Sequence, residues 1–296
     1  MSFDEAFKSV IIANEAKLTL KQKHLHIAQA DNEAMLYLKD LSFIILESPQ
    51  ITLTSALLSA LAKAKIVLLS CDESHLPNGV FMPFLGHFNA SLLAKEQFSV
   101  SEQRKAILWQ KIIQNKIRNQ AFVLHHAKHD EQATELLNLA KSVRLGDSSY
   151  MESRAAVLYF KTLFGKDFSR EELCFENSAL NYGYAIVRAA VVRAVCVSGL
   201  LSWLGIKHAN AYNQFNLCDD IIEVFRAFVD IKVLEFKSED DFLGKEHKKA
   251  LIENLQSLVL INSQSLPLIR AINHFVQNFK NALLNGAELA NVSFEK

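Results

Sequence analysis

Reactive side chains are densest between Gly205 and Arg226, where His208 precedes a helical pattern carrying Asp219, Asp220 and Glu223. Asp220 and Glu223 are three residues apart and share one helix face, so a carboxylate pair lies close in sequence to an imidazole. Oxygen donors with at most one imidazole suit Mg2+ or Mn2+ better than zinc, which recruits more nitrogen or sulfur. An ion of that kind serves phosphoryl chemistry. The same spacing also describes a solvated helix face on which Asp220 or Glu223 pairs Arg226, and on spacing alone that is the commoner arrangement.

A second cluster has the opposite sign. From Gln103 to His129 there are six basic residues, Arg104, Lys105, Lys111, Lys116, Arg118 and Lys128, with three histidines and no acid. Such a run can track phosphates, and if all six engaged DNA the slope of log affinity against log salt would be about −5. Ile107, Leu108, Ile112 and Ile113 supply the inward face of the same helix. His125, His126 and His129 have no carboxylate at helical spacing, so they read as a solvent- or DNA-facing trio. His24 and His26 alternate with Leu25 and Ile27, which puts both on one exposed sheet face. Cys218 reads as a small buried hydrophobe. Arg188 and Arg193, inside an apolar run, must find carboxylates or phosphates, either bracing the acidic residues or reaching DNA.

The elements that position these residues follow from hydropathy. Short β-branched or alternating runs at 9–12, 17–20, 24–27, 35–38, 43–46 and 66–69 predict strands, with a short helix at 55–62 behind Thr54. Pro77, Asn78, Gly79 and Pro83 mark a linker over 77–89, separating a β-rich part at 1–76 from a part at 90–296. Helical periodicity then fills 101–120, 131–143, 153–164, 179–204, 212–230, 245–260 and 266–284. The expected fold class is α+β: a small N-terminal β-rich domain followed by a larger all-α domain.

Composition excludes several classes. The chain has 296 residues, half of them hydrophobic and 22% charged, so it can bury a core unaided and is neither disordered nor collagenous. Thirty-two Lys and Arg balance 32 Asp and Glu, so any grip on DNA is local rather than a bulk polycation effect. Four scattered cysteines form no Cys-x-x-Cys pair, which fits a reduced cytoplasm without a disulfide or zinc framework. Asp4 and Glu5 stand where a signal peptide would be basic, and the apolar run 184–206 is broken by Arg188 and Arg193, so no membrane association is expected.

The order of motifs carries a resemblance. Leu180-Asn181-Tyr182-Gly183-Tyr184-Ala185, the apolar helix with Arg188 and Arg193, Gly205-Ile206-x-His208, and Asn213-x-Phe215-Asn216-Leu217-x-x-Asp220-x-x-Glu223-x-Phe225-Arg226 with Asp230 closely resemble the CRISPR-associated spacer integrases of the Cas-one family. Upstream, Tyr150-Met151-Glu152-Ser153-Arg154-Ala155-Ala156, followed by Tyr159-Phe160 and Phe164-Gly165, resembles the segment that supplies that family's first metal-binding glutamate. Val224 stands where many relatives have proline, and Lys207 and Ala209 flank the histidine where some have a second one.

The resemblance implies a metal-dependent DNA endonuclease and integrase, in which Glu152, His208 and Glu223 hold Mg2+ or Mn2+ and Asp220 is a nearby further acid. It implies attack of a DNA 3′-hydroxyl on a phosphodiester, which inserts short foreign fragments into a CRISPR array. The implied partners are prespacer and repeat DNA, a second copy of the chain joined through the N-terminal domains, and the small Cas-two protein in a heterohexamer. The long form of the Gly-Ile-x-His stretch looks most like integrases that accompany Cas-nine, an expected further partner. Two rivals remain. Asp219-Asp220-x-x-Glu223 also matches the magnesium-diphosphate motif of helical terpenoid synthases, although no convincing second motif is present. A non-catalytic helical DNA-binding scaffold would use its acids only as surface groups.

Overall fold

The computed structural model describes residues 8–30, 32–73, 77–83, 87–236 and 242–295; Asp4 and Glu5 lie outside them. The N-terminal part is built from two four-stranded sheets. Strands β1 (Lys8–Ile12), β2 (Ala16–Lys21), β3 (His24–Ala28), β4 (Glu33–Tyr37), β5 (Leu41–Leu46) and β6 (Ile51–Leu53) precede helix α1 (Ser55–Ala64), strand β7 (Val67–Cys71) and strand β8 (Pro77–Phe81). One sheet has the order β4-β3-β2-β6 and the other β1-β5-β7-β8. The Thr54 hydroxyl accepts from Leu57 N at 3.3 Å and starts α1, a cap worth about 1 kcal/mol.

Strand β5 shows why the two parts pack together. All six of its residues are buried, as expected for a strand covered on both faces. Leu41 and Ile44 join Leu18, Leu25, Leu57 and Leu61 in one core, while Phe43 and Ile45 join Val67, Leu69 and the helical core. Residues 77–81, within the expected linker, form β8 and pair antiparallel with β7.

The second part contains α2 (Ala90–Phe98), α3 (Glu102–His126), α4 (Asp130–Ser142), α5 (Met151–Phe164), α6 (Phe175–Ser198), α7 (Asn216–Ile222), α8 (Arg226–Leu234), α9 (Lys245–Glu253) and α10 (Leu268–Asn285). The all-α expectation is corrected here. Strands β9 (Leu258–Ile261), β10 (Gln264–Pro267) and β11 (Val292–Phe294) form a sheet of order β10-β9-β11. The predicted helix over 245–260 ends early because Asn262 and Ser263 take φ of 48° and 69° and turn a hairpin between β9 and β10. Asn115 ties β11 to α3, donating to Val292 O at 2.6 Å and accepting from Val292 N at 3.0 Å.

The predicted helix over 212–230 is two helices, α7 and α8, broken at residues 223–225. Among the described residues α6 alone is long and apolar enough to cross a bilayer. It is instead a core helix, packed by α7, α8, α9 and α10. Its Arg193 is buried and donates from Nε to Lys65 O at 3.1 Å, which closes the end of α1. His26 also departs from expectation: it is buried, with Thr19, Lys21 and Glu33 within 3.1, 3.1 and 2.9 Å of its ring nitrogens.

Candidate active site

The floor of the site is α3, which places Trp109 and Lys116 two turns apart on one face. Trp109 meets the His208 ring edge-on, with centroids 5.8 Å apart. The Lys116 ammonium lies 2.7 Å from Glu152 Oε1 and 2.6 Å from Glu223 Oε2. One cation therefore bridges the two glutamates to which the family resemblance gives a metal-binding role, although they are 71 residues apart in the chain. Lys116, expected on a DNA-facing track, is buried inside the site instead.

Glu152 owes its position to the turn before α5. The Asp147 carboxylate accepts from Met151 N at 2.9 Å and Glu152 N at 3.1 Å, satisfying the amides that a helix start leaves free. Reaching this geometry takes left-handed backbone at Gly146, Asp147 and Tyr150, with φ of 64°, 53° and 53°. Lys207 Nζ donates to Gly146 O at 3.3 Å, which ties this turn to the segment bearing His208.

Glu223 lies at the break between α7 and α8, where Phe225 N returns to Ile222 O at 2.7 Å. Asn119, one turn beyond Lys116 on α3, donates to the Val224 carbonyl at 3.2 Å and holds the break in place. Burial opposes ionisation of Glu223, but the Lys116 ammonium and the Arg226 guanidinium outweigh it and hold its pKa down to about 2. Burial likewise lowers Lys116, and the charges of Glu223 and Glu152 more than compensate, so its pKa is raised. Arg226 Nε donates to Glu223 Oε1 at 2.7 Å. The Lys116 ammonium lies 2.6 Å from the other oxygen, Oε2, which is buried and has no further donor.

Asp220, the nearby further acid, shapes the histidine segment. It is fully buried and accepts from Ile206 N at 2.6 Å, Lys207 N at 3.2 Å, His208 N at 3.0 Å and His208 Nδ1 at 2.8 Å. Those four bonds fill its acceptor capacity. They also fix the imidazole with Nδ1 inward, leaving Nε2 for another partner. The hydrogen bond to Asp220 raises the pKa of His208 against the opposing effect of burial. Gly205 is required by close approach: a Cβ there would meet His208 O at 2.3 Å and Asp220 Oδ2 at 2.7 Å. The neighbouring Asp219 faces elsewhere, accepting from Arg188 Nε at 2.5 Å and Asn213 Nδ2 at 2.6 Å.

Behind Glu223 a buried chain of polar contacts joins three helices. The Arg226 guanidinium stacks 4.6 Å from the Tyr184 ring centroid. Tyr184 and Tyr159 donate to the two oxygens of Asp230, at 2.5 and 2.8 Å. Burial pushes Asp230 up to about 6, although both phenols favour its charged form. Tyr159 is on α5 two turns after Glu152, so this network fixes α5, α6 and α8 relative to one another.

Glu152 and Glu223 thus meet across Lys116, and the Glu223 charge reaches His208 and contributes to its raised pKa. Among the described residues, however, no three His, Cys, Asp or Glu donors are gathered tightly enough to enclose an ion. The basic run is dispersed. Arg104 donates to Ala282 O at 3.0 Å, Lys105 to Glu102 at 2.7 Å, and Lys111 lies 3.8 Å from Glu288. Of the six, only Arg118 and Lys128 are exposed residues. His125 pairs with Asp130, just past the helix end, a carboxylate that helical spacing alone does not reveal.

Sequence reasoning missed Asp147, Asn119 and the role of Lys116. The turn Leu145-Gly146-Asp147 immediately before an apolar helix was a readable cap signal. Nothing in the one-dimensional pattern separates Lys116 from its basic neighbours.

The sequence profile of the family described as CRISPR associated protein Cas1 matches residues 9–260. A relative from Neisseria meningitidis serogroup C (strain 8013), the CRISPR-associated endonuclease Cas1, is 38% identical over 277 residues, 93% of this chain and 91% of the relative. Among solved structures, a casposase bound to integration product shares the fold with a TM-score of 0.77 at 19% identity, covering 95% of this chain and 92% of that one. A Cas6-RT-Cas1–Cas2 complex gives 0.74 at 19% identity, covering 96% of this chain and 35% of that one. With most of its length matched by the family and a full-length relative well above 30% identity, the chain belongs to the CRISPR-associated Cas1 family.

Proposed function

We propose that the chain is a metal-dependent DNA integrase and endonuclease that joins the 3′-hydroxyl of a short DNA fragment to a phosphodiester of a CRISPR array. The observation that carries this reading is the meeting of Glu152 and Glu223 at one cation position, with the Glu223 charge felt at His208. The residues fit a hard divalent ion. Two carboxylates with a single imidazole suit Mg2+ or Mn2+, and a positive charge already sits between the carboxylates.

Glu152, Glu223 and His208 through Nε2 would hold Mg2+ or Mn2+. When bound, the ion supplies Lewis-acid stabilisation of phosphate charge and lowers the pKa of an attacking hydroxyl. The protein supplies the rest. Asp220 holds the His208 imidazole in the tautomer with Nδ1–H, so that Nε2 keeps its lone pair. Arg226 and Lys116 keep Glu223 ionised throughout the working pH range. Asp147 and the Tyr159–Asp230–Tyr184 network hold Glu152 and Glu223 on rigid elements, the preorganisation that in-line displacement requires.

DNA and a Cas2 protein are the partners this reading assigns, by likeness to the casposase bound to integration product and the Cas1–Cas2 complex. A homodimer through the N-terminal sheets and an association with Cas-nine extend it. The terpenoid-synthase alternative loses its donor set. Asp219 is turned to Arg188 and Asp220 is spent on backbone amides, so Asp219, Asp220 and Glu223 do not face one cavity.

The test is a strand-transfer assay with the full chain, Mn2+, supercoiled plasmid and a labelled duplex with free 3′ ends. Metal-dependent transfer of label to the plasmid is expected. A bandshift without nicking or transfer would establish the scaffold reading instead.

A further inference from the structure

Lys116 has an unusual placement for a residue in a proposed metal site. Its side chain is 11% exposed, and its ammonium contacts one oxygen from each of two glutamates that approach from different elements, the first turn of α5 and the α7–α8 break. The stem cannot simply rotate away with the helix. Asn115 is bonded to Val292 and Asn119 to the Val224 carbonyl, which fixes this turn of α3 on both sides. Arg226 already neutralises the other oxygen of Glu223, so Lys116 is the cation shared by both carboxylates.

A hard divalent ion needs those same oxygens, at distances near 2.1 Å for Mg2+. It would have to share them with an ammonium within 2.7 Å of both, so the two cations compete for the same donors and repel each other there. The four-carbon stem of lysine is flexible. A displaced ammonium would seek another anion, and a DNA phosphate is the anion this chemistry brings.

We propose that Lys116 is a built-in competitor for the divalent ion: it closes the Glu152–Glu223 pair in the DNA-free protein and yields to the ion when a DNA phosphate takes up its ammonium. Metal and DNA then bind cooperatively, each strengthening the other by the same factor. The proposal rests on the metal-dependent reading above and deepens it.

The experiment measures Mn2+ binding to the full chain by the electron paramagnetic resonance of unbound Mn2+, with MnCl2 alone and then with a duplex whose 3′ ends lack hydroxyls. Lys116→Met, which keeps the stem and removes the charge, should bind Mn2+ at least tenfold more tightly than wild type without DNA. The duplex should tighten wild-type binding at least tenfold and the variant by much less. Equal or weaker Mn2+ binding by Lys116→Met, with that binding still abolished by Glu152→Gln, overturns the role of Lys116 and leaves the metal site standing. Absence of any Mn2+ uptake sensitive to Glu152→Gln overturns both. Should Lys116→Met not fold, the wild type alone decides: Mn2+ affinity indifferent to DNA contradicts the proposal.

Discussion

His208 Nδ1 lies 2.8 Å from Asp220 Oδ1, and the same carboxylate receives the backbone amides of residues 206, 207 and 208. One buried acid thereby sets both the shape of the segment and the direction of its imidazole. Asp220→Asn places an NH2 group among four donors, so at least one buried donor loses its acceptor, at a cost of about 1–3 kcal/mol. We expect strand transfer to fall by about a hundredfold or more in folded protein, as for loss of a residue that orients a metal ligand. Near-normal transfer rates in Asp220→Asn would remove this assignment.

The raised pKa of His208 sets the acid limb of the pH profile. The ordinary value is about 6.5, and the ligand form is the neutral ring, so activity should rise with pH through a value above that. The sign for stability is opposite. A base raised by folding adds stability that is fully present below about 6.5 and disappears as pH passes the folded value. In Asp220→Asn the limb should move to lower pH, read by residual activity across pH 5–9 and by the imidazole proton resonances.

Glu152 and Glu223 should separate in stability but not in activity. Replacing either by Gln, or His208 by Ala, should slow strand transfer by about a thousandfold, equivalent to about 4 kcal/mol of transition-state stabilisation. The Glu152 side chain is 28% exposed and that of Glu223 is 6% exposed between two cations. Glu223→Gln should therefore also cost about 3 kcal/mol in urea unfolding, while Glu152→Gln should stay within about 1 kcal/mol of wild type. Equal stabilities for the two variants would contradict the burial of Glu223 between its partners.

Asp230 gives a second, distinct pH signature. Its folded value of about 6 exceeds the usual 3.8, so the folded state holds the extra proton between those values and stability falls as pH rises through that window. The difference corresponds to about 3 kcal/mol. Asp230→Asn should flatten the stability difference between pH 4.5 and pH 7 relative to wild type, measured by urea unfolding at both.

The exposed cations Arg118 and Lys128 should carry the DNA contact of this region. Replacing both by Ala should reduce the salt slope of DNA binding by about 2. Arg104→Ala should leave the slope unchanged and lower thermal stability, because Arg104 holds the Ala282 carbonyl near the end of α10. A full slope of about −5 that depends on all six basic residues would restore the continuous track and sink this division of labour.

The cluster from Gly205 to Arg226 stood out because His208, Asp220 and Glu223 lie within one segment, but its spacing alone suits a solvated helix face, and the family resemblance was needed to single out His208 and Glu223 and to add Glu152. The strands of the N-terminal part were read from short β-branched or alternating runs, of which β5 is a continuous apolar one, buried on both faces. What escaped was set by contacts distant in sequence. Lys116 reads as one more charge in a basic run, and only the folding of α5 and α7 against α3 turns it inward. The β9–β10 hairpin was written in Leu258-Val259-Leu260-Ile261-Asn262-Ser263, but a short apolar run is ambiguous between helix and strand when a helix precedes it. Asp220 and Asp219 are adjacent and chemically identical. Burial and partner choice, rather than sequence, assign one to His208 and the other to Arg188.

The position of the bound ion is the most direct test of the proposed site. Anomalous diffraction at the manganese edge, from crystals of the DNA-bound protein grown with Mn2+, should show a peak in contact with the carboxylates of Glu152 and Glu223 and with His208 Nε2, and the Lys116 ammonium turned away from both acids. A peak away from these three residues, or none with Lys116 still bridging the glutamates, would contradict it.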